Sequence, residues 1–274
     1  MWRVPGVALY TAATREVNQI RLSSGRRRGR SSLIPIISVT LVKPGPNPPP
    51  HKVGVVVPAR NEANRIGGVL AGIGDRVEGI PVISLVVDDG STDRTSEVAR
   101  EHGARVIVHA INLGKGAAMK TGCAAGLAAG CDVLVLMDGD GQHRPSDLPA
   151  MLAPILAGKA DLVLARRRFT GEMPASARLG NWGLTRLFTL MFGATFTDTQ
   201  CGLRAFSSDA YKKVDWLATD YAVETEMLVR AARARLRTAE VDIETIYHDV
   251  YKGTTPLDGL RILLQMIRLR IMSS

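Results

Sequence analysis

Apolar runs long enough to cross a bilayer are missing from this chain. No stretch approaches the roughly 18 uninterrupted apolar residues of a spanning helix, and the nearest, SSLIPIISVTLV at 31–42, is short and broken by Pro35. It follows an arginine cluster, as the apolar part of a signal peptide would. However, it begins too deep in the chain and carries no small-residue cleavage site. A soluble or peripheral protein is expected.

Cysteine is scarce too. Cys123, Cys131 and Cys201 lack metal-cluster spacing and are odd in number, so reduced, mostly buried thiols in a cytosolic protein are expected. Aromatic residues are only 5% of the chain, and no nucleic-acid module accompanies its basic residues, so no nucleic-acid partner is expected. Acidic residues are rare at the N-terminus. Residues 1–50 hold eight Lys/Arg against the single Glu16, which puts +7 of the net +9 there and leaves +2 for the remainder. SSGRRRGRSS reads either as a solvated tail able to touch anionic lipid or as an extension upstream of the true start.

What remains is ample for a core: 46% of the 274 residues are hydrophobic, too many for a disordered chain. After the proline-rich spacer KPGPNPPPH (43–51), strand and helix signals alternate. Short apolar runs at 53–57, 81–87, 104–109, 132–138 and 161–166 read as strands. Helical patterns lie between them at 62–73, 91–103, 114–130 and 146–158, the third rich in small residues suited to close packing on a sheet. This is the signature of an α/β fold, a mostly parallel central sheet flanked by helices. Past residue 170 the pattern becomes helix-rich, with one alternating stretch at 241–247. The boundaries expected are an N-terminal extension (1–50), the α/β domain (51–248), and a loop with an amphipathic helix (249–274).

In open α/β sheets ligands bind beyond the carboxyl ends of strands. Two runs put carboxylates there, VVDDGSTD and LMDGDGQH. Residues two apart on an extended chain point the same way, so Asp138 and Asp140 can converge, with Gly139 leaving room for a ligand. A divalent cation with oxygen ligands, Mg²⁺ or Mn²⁺, relieves the repulsion between them, and Gln142 can add a neutral oxygen. The competing explanations are a solvated Asp/Gly turn and an ion pair with Arg144. A helix–loop–helix calcium loop counted from Asp138 would need glycine and glutamate where His143 and Pro149 stand. NLGKGAAMKTG misses both the Walker A and the dinucleotide patterns at Met119. Lys115, between two glycines at a helix start, can meet a phosphate or serve only the helix end.

VVVPARNEANRI, VVDDGSTDRT, NLGKGAAMKTG, DGDGQH and TDTQCGLRAF occur in this order. Together they resemble the family 2 glycosyltransferases of GT-A fold, in particular the dolichyl/polyprenyl-phosphate mannose and glucose synthases, over about residues 53 to 250. The resemblance implies a donor site lined by Pro58, Arg60, Glu62, Val87, Asp89 and Lys115 with Asp138 and Gly139. Tyrosine is usual in the mannose synthases where Arg60 stands, and Asp88 would shape the turn. It also implies a metal held by Asp138, Asp140 and Gln142, and an acceptor phosphate met by Arg166 and Arg178. The family's late arginine and lysine are replaced by Val250 and Pro256, with Lys252 or His248 near enough to substitute.

The expected reaction is an inverting displacement moving a hexose from GDP-mannose or UDP-glucose to a polyprenyl phosphate. An already ionised acceptor needs no strong base. A hydroxyl acceptor, on a soluble sugar or a protein, would need one, and Asp198 is the candidate. Asp140, Asp198 and Arg166 are thus the expected catalytic residues. Asp198 orienting Arg204 or a backbone amide, and Arg166 simply solvated, are the structural alternatives; a non-catalytic nucleotide-sugar-binding subunit is a further possibility. On the tail helix, Asp258, Arg261, Gln265 and Arg268 form one stripe, opposite Leu257, Leu260, Leu263, Leu264, Ile267 and Ile271. Such a helix can lie in a membrane interface or pack on the catalytic domain. The expected location is peripheral, on the cytoplasmic face of a membrane.

Overall fold

The computed structural model describes residues 52–167, 175–220, 222–244, 246 and 256–271. The arginine-rich tail, the proline spacer, His248, Val250 and Lys252 lie outside the described residues, as does the side chain of Arg178. Strand β1 (Val53–Ala59) sits centrally, parallel to β3 (Ile80–Asp88) on one side and to β5 (Val133–Leu136) on the other. Strand β4 (Arg105–Val108) extends the parallel set beyond β3, and the two-residue β2 (Arg76–Val77) folds back antiparallel on β3. Val53, Val55, Val56 and Val57 are fully buried, because helices cover both faces of a parallel sheet and leave the strand no wet side.

Beyond β5 the direction changes. Strand β7 (Arg204–Ser207) runs antiparallel to both β5 and β6 (Leu162–Arg167), and β8 (Thr238–Ile243) runs parallel to β6. The helix-rich reading past residue 170 missed β7. It is four residues long and opens with Arg204, a charged residue that is only 1% exposed. Its guanidinium donates to the carbonyls of Cys201 (3.0 Å), Glu224 (2.7 Å) and Thr199 (2.9 Å), which makes its burial tolerable. No hydrophobic pattern could announce such a strand.

One face of the sheet is packed by α1 (Ile66–Ile73), α2 (Thr95–Glu101) and α4 (Leu148–Leu156). The other is packed by α3 (Lys115–Ala128), α5 (Ala175–Phe192), α6 (Ser208–Val214), α7 (Val223–Arg233) and α8 (Pro256–Ile271). Helix α1 starts four residues later than expected, because the Glu62 N–H donates to Thr95 Oγ1 at 2.9 Å and draws that segment toward α2. The small residues of α3 permit a close helix–sheet approach: a Cβ at Gly122 would overlap the Val56 side chain. Gly122→Ala is therefore expected to destabilise by about 1–3 kcal/mol, as overpacking does. Gly68→Ala, on an exposed helical position whose Cβ meets open space, should be neutral or stabilising. Paired thermal melts check the contrast, and equal melts would remove the packing explanation.

The tail helix departs from its expected orientation. Helix α8 buries Ile262, Met266 and Leu269 against α5 and α7. Leu264, Ile267 and Ile271, read from sequence as the core-facing or lipid-facing stripe, stay exposed at 57%, 41% and 70%. The helix is apolar on more than one face, so it packs on the domain and still presents an apolar stripe outward. Among the described residues no helix is long and apolar enough to cross a membrane. All three cysteines are buried free thiols, as expected.

Candidate active site

The carboxyl ends of β1, β3, β5 and β6 bring the acidic and basic motifs to one edge of the sheet. Gly139 packs against Pro58 O and Ala59 Cβ, both 3.3 Å from where its Cβ would lie. This closeness sets the Asp–Gly–Asp turn directly beside the end of β1. Arg60 is exposed there. Glu62 is buried, with Arg65 3.0 Å away.

The two aspartates sit in different electrostatic surroundings. Asp138 accepts the Lys115 ammonium at 2.8 Å. Burial alone would raise its carboxyl, but Lys115, with a smaller contribution from His143, brings it below the usual carboxylate range. Asp140 accepts the Gln142 backbone N–H at 3.0 Å and has no ion pair among the described residues. Burial first, and then the neighbouring Asp138 charge, push its carboxyl above the usual range. The predicted alternative partner, Arg144, pairs instead with Glu244 at 2.8 Å. Among the described residues no three His, Cys, Asp or Glu side chains converge on one metal position. Asp138, Asp140 and the Gln142 amide are the groups of this turn whose hard oxygen donors would suit Mg²⁺ or Mn²⁺. The uncompensated charge at Asp140 fits a cation there, and the shell they leave incomplete fits a diphosphate.

Several expected site residues are placed otherwise. Lys115 is engaged by carboxylates: it bridges Asp138 and Glu224 Oε1, the latter at 2.9 Å. Burial pulls its pKa down, and the two carboxylates outweigh that and raise it. Its flanking glycines answer to packing, since a Cβ at 114 or 116 would overlap the carbonyls of Thr219 and Ala218. The Val87 side chain is fully buried and cannot face a nucleobase. Asp89 is 4% exposed, and its carboxylate holds the 109–114 loop through His109 Nδ1 (2.7 Å), Leu113 N–H (2.9 Å) and Gly114 N–H (2.8 Å). Asp88 accepts the Ser91 N–H at 2.8 Å and the Ser96 hydroxyl, which shapes the turn.

The two neighbouring arginines of β6 have different carboxylate partners. Arg166 is partly exposed and pairs with Asp242, its register partner on β8. Alternation on β6 turns the next side chain to the opposite face, where Arg167 makes a two-pronged pair with Asp198, Nε–Oδ2 2.7 Å and Nη2–Oδ1 3.0 Å. Arg167 and Asp198 lie close enough to His143 to affect its charge. Burial is the main cause that lowers His143 to about 4 and keeps it neutral. Asp198 is 1% exposed; burial would raise its carboxyl, and Arg167 holds it below the usual range. Its guanidinium partner is therefore Arg167, not Arg204. A carboxylate so engaged is a poor base.

Sequence reasoning also missed Glu224 and His143. β6 is buried on both faces, so no polarity alternation distinguished Arg167 from Arg166. Glu224, near the start of an ordinary-looking helix, gave no signal of its burial.

The sequence model of Glycosyl transferase family 2 matches residues 54–215. A UDP-N-acetylglucosamine–dolichyl-phosphate N-acetylglucosaminyltransferase of Methanococcus voltae is 30% identical, over 79% of this chain and 95% of that one. An undecaprenyl-phosphate mannosyltransferase of Micrococcus luteus is 32% identical, over 76% and 88%. Among solved structures, glucosyl-3-phosphoglycerate synthase of Mycobacterium tuberculosis, in complex with Mn²⁺, UDP and glucosyl-3-phosphoglycerate, superposes with a TM-score of 0.60. It is 25% identical and covers 81% of this chain and 79% of that one. With the parallel sheet and the carboxylate edge described above, these likenesses make the chain a GT-A enzyme that transfers sugar, a member of glycosyl transferase family 2.

Proposed function

We propose that the enzyme moves a hexose, with inversion, from a nucleoside diphosphate sugar to a polyprenyl phosphate at a membrane surface, assisted by Mg²⁺ or Mn²⁺. The observation that carries the acceptor class is the Arg167–Asp198 pair. The one carboxylate expected to act as a base is buried and committed to a guanidinium, which suits an acceptor that arrives ionised. A phosphate monoester, with a second pKa near 6, does so at neutral pH. Arg167, oriented by Asp198, is the cation proposed to hold that phosphate beside the donor, since a guanidinium stays charged at every working pH. Asp140 and Asp138, with Gln142, are the proposed metal ligands. When bound, the metal would neutralise charge on the departing diphosphate. Pro58, Arg60 and Gly139 border the proposed donor side. Arg178 and Lys252 remain candidates for the acceptor side.

Two packed helices support the membrane part of the proposal. Trp182 and Leu190 of α5 are 63% and 83% exposed, and α8 leaves Leu264, Ile267 and Ile271 uncovered. Arg186, Arg268 and Arg270 are exposed on the same two helices, and α5 contains no acidic residue. A cationic surface with exposed Trp, Leu and Ile suits an interface with anionic lipid. Helix α5 also touches the site wall, where the Thr185 and Thr199 hydroxyls lie 3.1 Å apart. The cytoplasmic leaflet is the location proposed.

The relatives' names support a lipid-phosphate acceptor and leave UDP- and GDP-sugars open as donors. The solved neighbour, a glucosyl-3-phosphoglycerate synthase, favours a second reading, a soluble acceptor. The two are separated by supplying labelled UDP-glucose, UDP-N-acetylglucosamine and GDP-mannose with vesicles containing polyprenyl phosphate. Label in the lipid phase with one donor, at a rate that declines below about pH 6 as the phosphate protonates, is the expected result. Label appearing only on phosphoglycerate or another soluble acceptor would reject the lipid reading.

A further inference from the structure

The Lys115 ammonium is shared. It lies 2.8 Å from Asp138 and 2.9 Å from Glu224 Oε1, and one loop is bonded both to the start of its helix and to the helix that bears Glu224. Backbone around Lys115 is locked to residues 216–219: Gly116 N–H donates to Thr219 O at 2.8 Å, and Trp216 Nε1–H donates to Gly116 O at 2.9 Å. The same loop is tied to α7, because Glu226 accepts the N–H groups of Leu217 (3.0 Å) and Ala218 (2.7 Å). Glu224, two residues earlier on α7, is 4% exposed, and its Oε2 has no hydrogen-bond partner among the described residues. A buried carboxylate with an unsatisfied oxygen is costly and calls for a role beyond packing.

Resting on the metal-dependent reading above, we infer that Lys115 competes with the divalent cation for Asp138, and that Glu224 sets the strength of that competition by drawing the ammonium toward itself. With Lys115 on Asp138, a bare divalent ion meets one free carboxylate and a nearby positive charge. A diphosphate adds negative charge and further oxygens, so the metal enters together with the nucleotide. Glu224 is thereby a positioning residue that acts through Lys115.

The test is Mn²⁺ binding to the full chain without nucleotide, followed by electron paramagnetic resonance. Lys115→Met should tighten Mn²⁺ binding by about tenfold or more, the size of one unfavourable charge contact in a partly buried site. Glu224→Gln, which leaves the ammonium to Asp138 alone, should weaken it. Opposite signs are the point, since loss of a merely structural residue loosens the site in both variants. Lys115→Met strands Glu224 and can fail to fold, so the double variant Lys115→Met/Glu224→Gln carries the same readout. Its net charge equals that of the native site, and it should still bind Mn²⁺ more tightly. Shifts of the same sign in the single variants, or a double variant no tighter than native, would overturn the competition. Asp140→Asn is the separate control. Native binding that stays absent even with a nucleoside diphosphate present, or binding unaffected by Asp140→Asn, removes the metal reading itself and this inference with it.

Discussion

Asp140→Asn is expected to reduce sugar transfer by about 10²–10³-fold or more, the scale seen when one preorganised electrostatic contact to developing charge is removed. The fold should be no less stable. Asp140 is the uncompensated member of the pair: burial and Asp138 both disfavour its charge, and it accepts a backbone N–H from Gln142. Asparagine keeps the shape and the Gln142 contact while deleting the disfavoured charge. Loss of function beside unchanged or raised stability is the pattern of a residue kept for chemistry at the cost of stability. Transfer rate and thermal midpoint, measured on the same preparation, check it. Full turnover in the asparagine variant would end the metal assignment, whereas a collapsed fold would assign Asp140 a structural task.

Arg167→Gln and Arg166→Gln, adjacent in sequence, should differ sharply. Arg167→Gln breaks the two-pronged pair with the buried Asp198, and breaking a buried pair costs up to about 3–5 kcal/mol. It also removes the proposed acceptor cation. Arg166→Gln breaks an exposed pair with Asp242, and such pairs contribute little, so both stability and transfer should be close to native. The double variant Arg167→Gln/Asp198→Asn should regain much of the stability without regaining transfer. That outcome separates the acceptor role from the packing role.

The pair also fixes an acid limb. Asp198 has a folded-state pKa below its ordinary 3.8, so its stabilisation is present above about pH 4 and lost as pH falls through the folded value. In Arg167→Gln that limb should move to higher pH. Unfolding by denaturant at several pH values measures it. A larger effect from Arg166 than from Arg167 would return the acceptor role to Arg166.

The sequence by itself determined the parallel half of the sheet, because a strand buried on both faces must be written as a continuous apolar run, and VGVVV and VLVL are such runs. It also put two carboxylates just beyond a strand end; β5 stops at Leu136 and Gly139–Asp140 form a turn, so the extended-chain alternation behind that expectation does not apply there. Only the tertiary structure decided which charges meet. Lys115 finds Glu224 across 109 residues, and Arg167 rather than Arg166 finds Asp198 because Arg166 shares a sheet face with Asp242, its register partner on β8, while alternation turns Arg167 to the opposite face. The strand β7 and the outward Leu264–Ile267–Ile271 stripe were hidden for a related reason. A buried arginine satisfied by three carbonyls looks like surface in a sequence, and a helix apolar on several faces does not say which one its neighbours will cover. Hydrophobic periodicity is local and legible, whereas charge pairing and the choice of buried face depend on what the rest of the chain brings near.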